Sequence, residues 1–193
     1  MTTIDKTKPV MITGATGYVA GWIVKRLLDE GLNVHAPVRD PGNAEKLKHL
    51  NRLAENAPGS ITFFKADLLE EGSYDAPMSG CELVFHTASP FTTAVKDPQK
   101  ELVNPALEGT RNVLGSANRT PSVKRVVLTS SSAAIVGDTK DLLSIPGGTA
   151  TEEDWNTTAS LEHQPYSYSK TLAEKEAWKI QEAQNRWDLV VIN

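Results

Sequence analysis

The sequence holds a single cysteine, Cys81, among 193 residues. An internal disulfide and a cysteine-rich zinc site are therefore excluded, and a reducing compartment fits. A basic excess is also missing: 20 Lys and Arg stand against 24 Asp and Glu, a net charge of −4 with histidine neutral. Nucleic acid and anionic membrane surfaces are thus not expected as partners. No run approaches the roughly 18 apolar residues needed to cross a bilayer. Residues 1–8 are polar and lack the apolar centre of a secretion signal. The protein is expected to be cytoplasmic. Glycine (13) and proline (11) are present in an ordinary share, which excludes collagen-like and Pro/Gly-rich disordered chains. No internal repeat or low-complexity run is present.

What is present is alternation. At roughly 150 residues per domain the length fits one domain and a remainder. Short runs rich in Val and Ile occupy residues 9–13, 32–38, 61–65, 82–86, 125–129 and 189–192. Several lack polar alternation, as strands covered on both faces do. Between them lie helical segments at 18–30, 43–57, 98–117 and 167–185, with a weaker turn at 73–78. Val19, Ile23, Leu27 and Leu28 form a 3.6-residue stripe, and Gly31 follows as a stop. Strand–helix alternation predicts an α/β fold with right-handed crossovers. Six strands in this sequence predict a Rossmann-type doubly wound parallel sheet of order 3-2-1-4-5-6. Residues 138–162 form a long irregular stretch, expected to wall the ligand crevice at the carboxyl edge of the sheet.

The first strand runs straight into Thr13-Gly14-Ala15-Thr16-Gly17-Tyr18-Val19-Ala20-Gly21. A dinucleotide pyrophosphate needs backbone N–H groups and a helix N-terminus aimed at it. Glycines serve where the chain turns and where the phosphate approaches. Gly14, Thr16, Gly17, Tyr18 and Val19 are the candidate contacts, and Ala20 and Gly21 are expected to let the helix pack tightly on the sheet. In NAD binders an acid near the end of the second strand accepts from the ribose 2′-OH. Here Val38 stands at that place and Arg39 follows. A guanidinium suits a 2′-phosphate, and Lys46, about two turns on, adds charge. NADP is therefore the expected cofactor rather than NAD. The bland alternative is that Arg39 is a solvated loop residue paired with Asp40.

A second constellation follows. Thr129-Ser130-Ser131-Ser132 ends the fifth strand, and Tyr166-Ser167-Tyr168-Ser169-Lys170 opens the next helix. Tyr166 and Lys170, four apart, share one helix face, whereas Tyr168 lies only two residues before Lys170. A nearby ammonium is expected to lower the phenol from its ordinary value near ~10, making Tyr166 a general acid. A serine hydroxyl beside it can bond a substrate oxygen as charge develops. Hydride addition to a carbonyl needs these parts. Each alone is common: a Tyr-x3-Lys pair arises by chance, and serines after a strand serve turns. Their order in one chain, all at the carboxyl edge of the expected sheet, is what carries the reading.

These residues resemble the extended short-chain dehydrogenase/reductase superfamily. Within it they are most similar to the dihydroflavonol reductase and cinnamoyl-CoA reductase group and its microbial aldehyde/ketone reductase relatives. Matching stretches lie at 13–20, 38–41, 65–68, 85–90, 125–131 and 168–174, almost the whole chain. The resemblance implies Ser131, Tyr166 and Lys170 as catalytic residues, with Tyr166 the proton donor, and Tyr166 and Lys170 also as cofactor contacts, Lys170 at the nicotinamide ribose. Ser132 is the alternative register for the serine. It further implies that Asp67 and Leu68 border the adenine, that Thr87, Ala88 and Ser89 pass beneath the cofactor, and that no metal is used. The expected reaction is NADPH-dependent reduction of a small-molecule aldehyde or ketone, in a monomer or homodimer. An NAD-dependent nucleotide-sugar epimerase or dehydratase and a non-catalytic dinucleotide-binding module are the alternatives.

Departures qualify the substrate. The window Gln164-Pro165-Tyr166-Ser167-Tyr168 differs from the Asn-Trp-Tyr-Cys-Tyr of cinnamoyl-CoA reductases, which argues against that thioester. Val136 stands where plant dihydroflavonol reductases carry an asparagine. Members of the group usually exceed three hundred residues, so residues 1–193 are expected to be the NADP-binding domain, with the substrate lobe largely missing. His35, His49, His86 and His163 show no metal spacing, and His86 reads as a packing or hydrogen-bonding residue. Trp22 and Trp178 are expected to be partly buried, and Trp155 to lie near substrate. Cys81 is expected to be inert, and Glu174, Lys175 and Glu176 to form a solvated helix face.

Overall fold

The computed structural model describes residues 2–89 and 95–193. Pro90, the end of one family-like stretch, lies outside the described residues. Six strands are present: β1 (Val10–Thr13), β2 (Asn33–Val38), β3 (Ser60–Lys65), β4 (Leu83–His86), β5 (Arg125–Thr129) and β6 (Asp188–Ile192). Five α-helices join them: α1 (Tyr18–Asp29), α2 (Ala44–Glu55), α3 (Asp75–Met78), α4 (Asn104–Arg119) and α5 (Pro165–Glu182). The strands form one sheet of order β3-β2-β1-β4-β5-β6 with every pair parallel, the expected doubly wound Rossmann-type topology.

Period-two alternation along β1 explains the two layers. Met11 joins a core with Met78, Val84, Val113, Leu114, Val126 and Ala177, under α3, α4 and α5. Its neighbour Ile12 faces the other way, into a core with Val24, Leu28, Val34 and Leu50, under α1 and α2. Leu28 and Leu50 are fully buried, each stabilising the fold by about 1.5–3 kcal/mol. Pro37 is tolerated in β2 because the registered pairing with β1 ends at His35. Gly31 adopts φ +78° and its amide donates to the Leu28 carbonyl, closing α1 where the stop was expected.

Two local expectations need correction. The segment 98–117 is not one α-helix: Gln99–Val103 is a π-helical turn, and α4 begins at Asn104. Pro105 has no N–H to give back to the preceding turn, so the regular ladder cannot run through this junction. Gly21 is not a close-packing residue either, since a Cβ built there meets nothing within 4 Å. Trp22, the next residue of α1, is 60% exposed rather than partly buried. The tight contact lies at Gly59, where a Cβ would sit 2.4 Å from the Leu32 carbonyl oxygen and 2.9 Å from Leu28 Cα.

These two glycines should respond to alanine with opposite signs. Gly59→Ala is expected to cost about 1–3 kcal/mol by pushing against backbone. Gly21→Ala is expected to stabilise by about 0.5–1 kcal/mol through helix propensity. Urea denaturation midpoints of the two variants check both signs.

Candidate active site

β1 and β4 end side by side, with Thr13 in register with His86. The Thr13 hydroxyl oxygen accepts from the Thr87 amide at 3.1 Å and the Ala88 amide at 3.0 Å, and lies 2.9 Å from His86 Nδ1. With both lone pairs used, the hydroxyl proton points at Nδ1, so His86 carries its own proton on Nε2. Thr87 Oγ1 donates back to the Thr13 carbonyl at 2.6 Å. His86 is buried, and desolvation first, then the Lys170 charge, push its pKa down to about 3. It is a neutral hydrogen-bonding residue, as expected. Cys81 is buried with its thiol pushed up to about 12, and so is inert.

That joint brings the glycine turn against β4. Gly14 has φ +68°, and a Cβ there would lie 3.1 Å from the Ala88 backbone and 3.2 Å from Thr87 Oγ1. Glycine is required for its backbone and for its lack of a side chain. Gly17 then caps α1 without any side-chain bond, and the first turn of α1 carries no acid. The leading amides of α1 are left to whatever anion enters beside them.

The turn opens on a cleft of about 1140 Å3 at the carboxyl edge of the sheet. Twelve of the fourteen residues assigned to the dinucleotide line it, namely Gly14, Thr16, Gly17, Tyr18, Val19, Arg39, Lys46, Asp67, Leu68, Thr87, Ala88 and Ser89, whereas Tyr166 and Lys170 do not. Arg39 and Lys46 are exposed, and among the described residues neither makes an ion pair. Arg39 is not paired with Asp40, whose carboxylate accepts from the Gly42 amide instead.

Several contributors gave no sequence signal. Buried Asn112 on α4 pins the 67–72 loop: its Nδ2 donates to the Leu68 and Glu70 carbonyls, and its Oδ1 accepts from the Gly72 amide. Asn43, which lines the cleft, caps α2 by accepting from the Lys46 amide at 3.1 Å. That cap was readable, as an Asn directly before a helical run. Glu101 and Tyr74 also line the cleft.

The second constellation sits where Ala88 and Ser89 leave the cleft. Those two residues and Lys170 share the wall of a small cavity of about 20 Å3. Tyr166 lies in the first turn of α5, with Lys170 Nζ 6.0 Å from its ring centre. Of the serines, Ser130 donates to Glu174 Oε2 and Ser132 is exposed. Half-buried Ser131 accepts the Ala133 amide at 3.1 Å, which leaves its own proton free to donate. The 3-10 turn that follows, Ser132–Ala134, packs against α5.

α5 is launched from Gln164, the one non-glycine residue with positive φ (55°) among the described residues. Its side-chain amide donates to Asp138 Oδ1 at 2.7 Å, and Asp138 Oδ2 also lies 3.0 Å from His163 Nε2. The long stretch 138–162 is thus tied to the start of the helix that carries Tyr166. It contains 3-10 turns at Thr139–Ser144 and Pro146–Gly148. Trp155 packs under the Lys175 ammonium at 5.0 Å.

Two electrostatic expectations are overturned. The Tyr166 phenol is raised, not lowered, because burial penalises the phenolate. Lys170 is itself buried and pulled down by desolvation, with Glu174 opposing. Tyr166 therefore holds its proton at neutral pH. Nor is 174–176 a solvated face. Glu174 is only 5% exposed, and Glu176 pairs with Arg111 at 2.8 Å. Among the described residues no group of His, Cys, Asp or Glu is arranged to hold a metal, and no helix is long and apolar enough to cross a membrane.

Comparison with known proteins places this geometry. The model of the family described as "NAD dependent epimerase/dehydratase family" matches residues 10–193. The chain is 48% identical over 187 residues to cinnamoyl-CoA reductase CAD2 of Medicago truncatula, covering 95% of this chain and 56% of that protein. It is 47% identical over 186 residues to tetraketide alpha-pyrone reductase 1 of Arabidopsis thaliana, covering 95% and 55%. Among solved structures it is similar to Gre2 in complex with NADPH from Candida albicans, at TM-score 0.81 and 32% identity over 96% of this chain and 56% of that one. The chain spans a little over half the length of the curated relatives it matches.

The buried neutral histidine makes stability pH-dependent. Its folded pKa of about 3 lies below the ordinary ~6.5 of the unfolded chain. Its contribution is complete above pH ~6.5 and is lost as pH falls toward 3, because only the unfolded state gains the proton. Between pH 7 and 5 this amounts to about 2 kcal/mol. Urea denaturation at both pH values should show that loss, and His86→Asn, which keeps an acceptor for Thr13, should reduce it.

Proposed function

We propose an NADPH-dependent carbonyl reductase, from the premise that the chain belongs to the NAD dependent epimerase/dehydratase family, within the extended short-chain dehydrogenases/reductases. Residues 1–193 would be its dinucleotide-binding domain. One observation carries the reading: a single cleft runs from two unpaired cations, past an uncapped helix start, to the strand end that meets Lys170.

The residues fit the cofactor. The backbone at Gly14 and Gly17 and the amides opening α1 receive the pyrophosphate. Arg39 and Lys46 receive a 2′-phosphate, the group that separates NADPH from NADH, and no acid stands at Val38 to favour a free 2′-OH. The NADPH complex of the similar Gre2 structure supports the same choice. Bound there, the reduced nicotinamide supplies the hydride that turns a carbonyl carbon into an alcohol carbon. Tyr166, half-buried and so holding its proton, gives its phenolic proton to the carbonyl oxygen and regains one from solvent. Ser131, its proton uncommitted, donates to the same oxygen. Lys170 holds positive charge beside the phenol as negative charge develops on it.

Fluorescence titration of the chain should give tighter binding for NADPH than for NADH. Arg39→Ala should weaken NADPH by about 10–100-fold, the worth of a charge-assisted contact, and leave NADH nearly unchanged. Equal binding of both dinucleotides before and after the substitution would remove the 2′-phosphate assignment. An aldehyde and ketone panel followed by NADPH absorbance reads turnover of the protein. Tyr166→Phe should lower turnover about 10²–10⁴-fold with little change in NADPH affinity.

A further inference from the structure

The small cavity behind Lys170 holds a charge that the proposed reduction does not use. Its wall includes Lys170 and Glu174 from α5, His86 from β4, Ser130 beyond β5 and Thr110 from α4. At about 20 Å3 it has room for one water, and its lining supplies the polar partners a buried water needs. Glu174 lies four residues after Lys170, as Lys170 lies four after Tyr166, so the three follow one face of the helix. The Glu174 carboxylate accepts from three donors and keeps acceptor capacity for a water. Oε2 accepts from the Ser130 hydroxyl and from Asn193 Nδ2 at 2.8 Å, and Oε1 accepts from Trp178 Nε1 at 3.4 Å.

Resting on the reductase reading, we propose that Glu174 is a positioning residue: across this cavity, through one bound water, its carboxylate is the counter-charge that keeps the Lys170 ammonium charged and in place beside Tyr166.

Lys170 is 7% exposed, and among the described residues no carboxylate lies within 4 Å of its nitrogen. A buried ammonium without a counter-charge gives up its proton. Burial does pull Lys170 down, and Glu174 is the group that opposes it. The other surroundings cannot substitute. His86 is neutral and Tyr166 keeps its proton. Thr110 from α4 and Ser130 beyond β5 are uncharged, and on the outer side of α4 Arg111 is paired with Glu176. In the π-helical segment Glu101 accepts from the Lys96 and Asp97 amides, and Lys100 pairs with Asp97. In β6 Asp188 pairs with Arg125. Among the described residues Glu174 is the one acid on the cavity wall.

The test reads Lys170 directly, by the pH dependence of its 13Cε and 15Nζ resonances in the chain, without substrate or cofactor. Glu174→Gln keeps the shape and should lower the Lys170 midpoint by about one pH unit or more. Ser130→Ala removes a donor but keeps the charge and should not lower it. An unmoved midpoint in the first variant, or an equal fall in both, overturns the proposal. On the unaltered chain the Glu174 carboxyl carbon should show an inflection at the Lys170 midpoint, and a flat trace also overturns it. If NADPH fails to bind while Lys170 behaves as expected, the reductase reading falls and the counter-charge stands. Normal NADPH binding with an unmoved Lys170 gives the reverse.

Discussion

The architecture of the site depends on one hydroxyl. Thr13 Oγ1 takes amide protons from Thr87 and Ala88 and gives its own to His86, so the carboxyl ends of β1 and β4 form a single unit. All the groups involved are buried or partly buried, where each unmade bond would cost about 1–3 kcal/mol. Because Ala88 is held there, Gly14 has no room for a side chain and the turn into α1 has one course. The uncapped start of α1 and the Ala88–Ser89 segment beyond β4 then line one cleft. The same histidine reaches the small cavity from below. Cleft and cavity are thus indexed to each other through Thr13 and His86.

Period and punctuation were legible in the sequence. Apolar runs alternating with 3.6-residue stripes set the order of elements, and the sheet topology follows from short right-handed crossovers. The glycine turn was legible because Gly14 and Gly17 follow a buried strand and precede an amphipathic helix. What escaped depends on contacts between distant residues. Thr13 and His86 are 73 positions apart, and Asn112 is one polar residue on a buried helix face whose partners in the 67–72 loop lie at least 40 positions away. The run 174–176 looks solvated because three consecutive charges usually are. Here helix periodicity turns Glu174 inward and leaves Lys175 outside. The π-helical turn before α4 was a question of one missing N–H, at Pro105, inside an otherwise regular pattern.

The reversed direction at Tyr166 has the same origin. Spacing shows that an ammonium lies one turn from the phenol, and water-exposed chemistry would then lower it. Depth is not written in spacing. Lys170 is buried and Tyr166 half-buried, so desolvation pushes each toward its neutral form. For the proposed reduction this is the useful order. A phenol that keeps its proton has one to give, and an ammonium that keeps its charge stabilises the phenolate only once it forms.

Charge is therefore used in two ways along one cleft. Arg39 and Lys46 stand in solvent, where ions screen them beyond about 8–10 Å. They can draw in and anchor a phosphate, and what they contribute varies with salt. Lys170 and Glu174 are both buried away from bulk solvent, so salt screens them far less over one helical turn. A group that must change ionisation during a reaction needs the second setting, because a screened charge would barely affect it. A group that only recognises a ligand is better served by the first, since an exposed cation needs no buried partner while it waits. The fold provides both by setting Arg39, just past β2, on the wall of the large cleft and Lys170, in α5, on the wall of the small cavity.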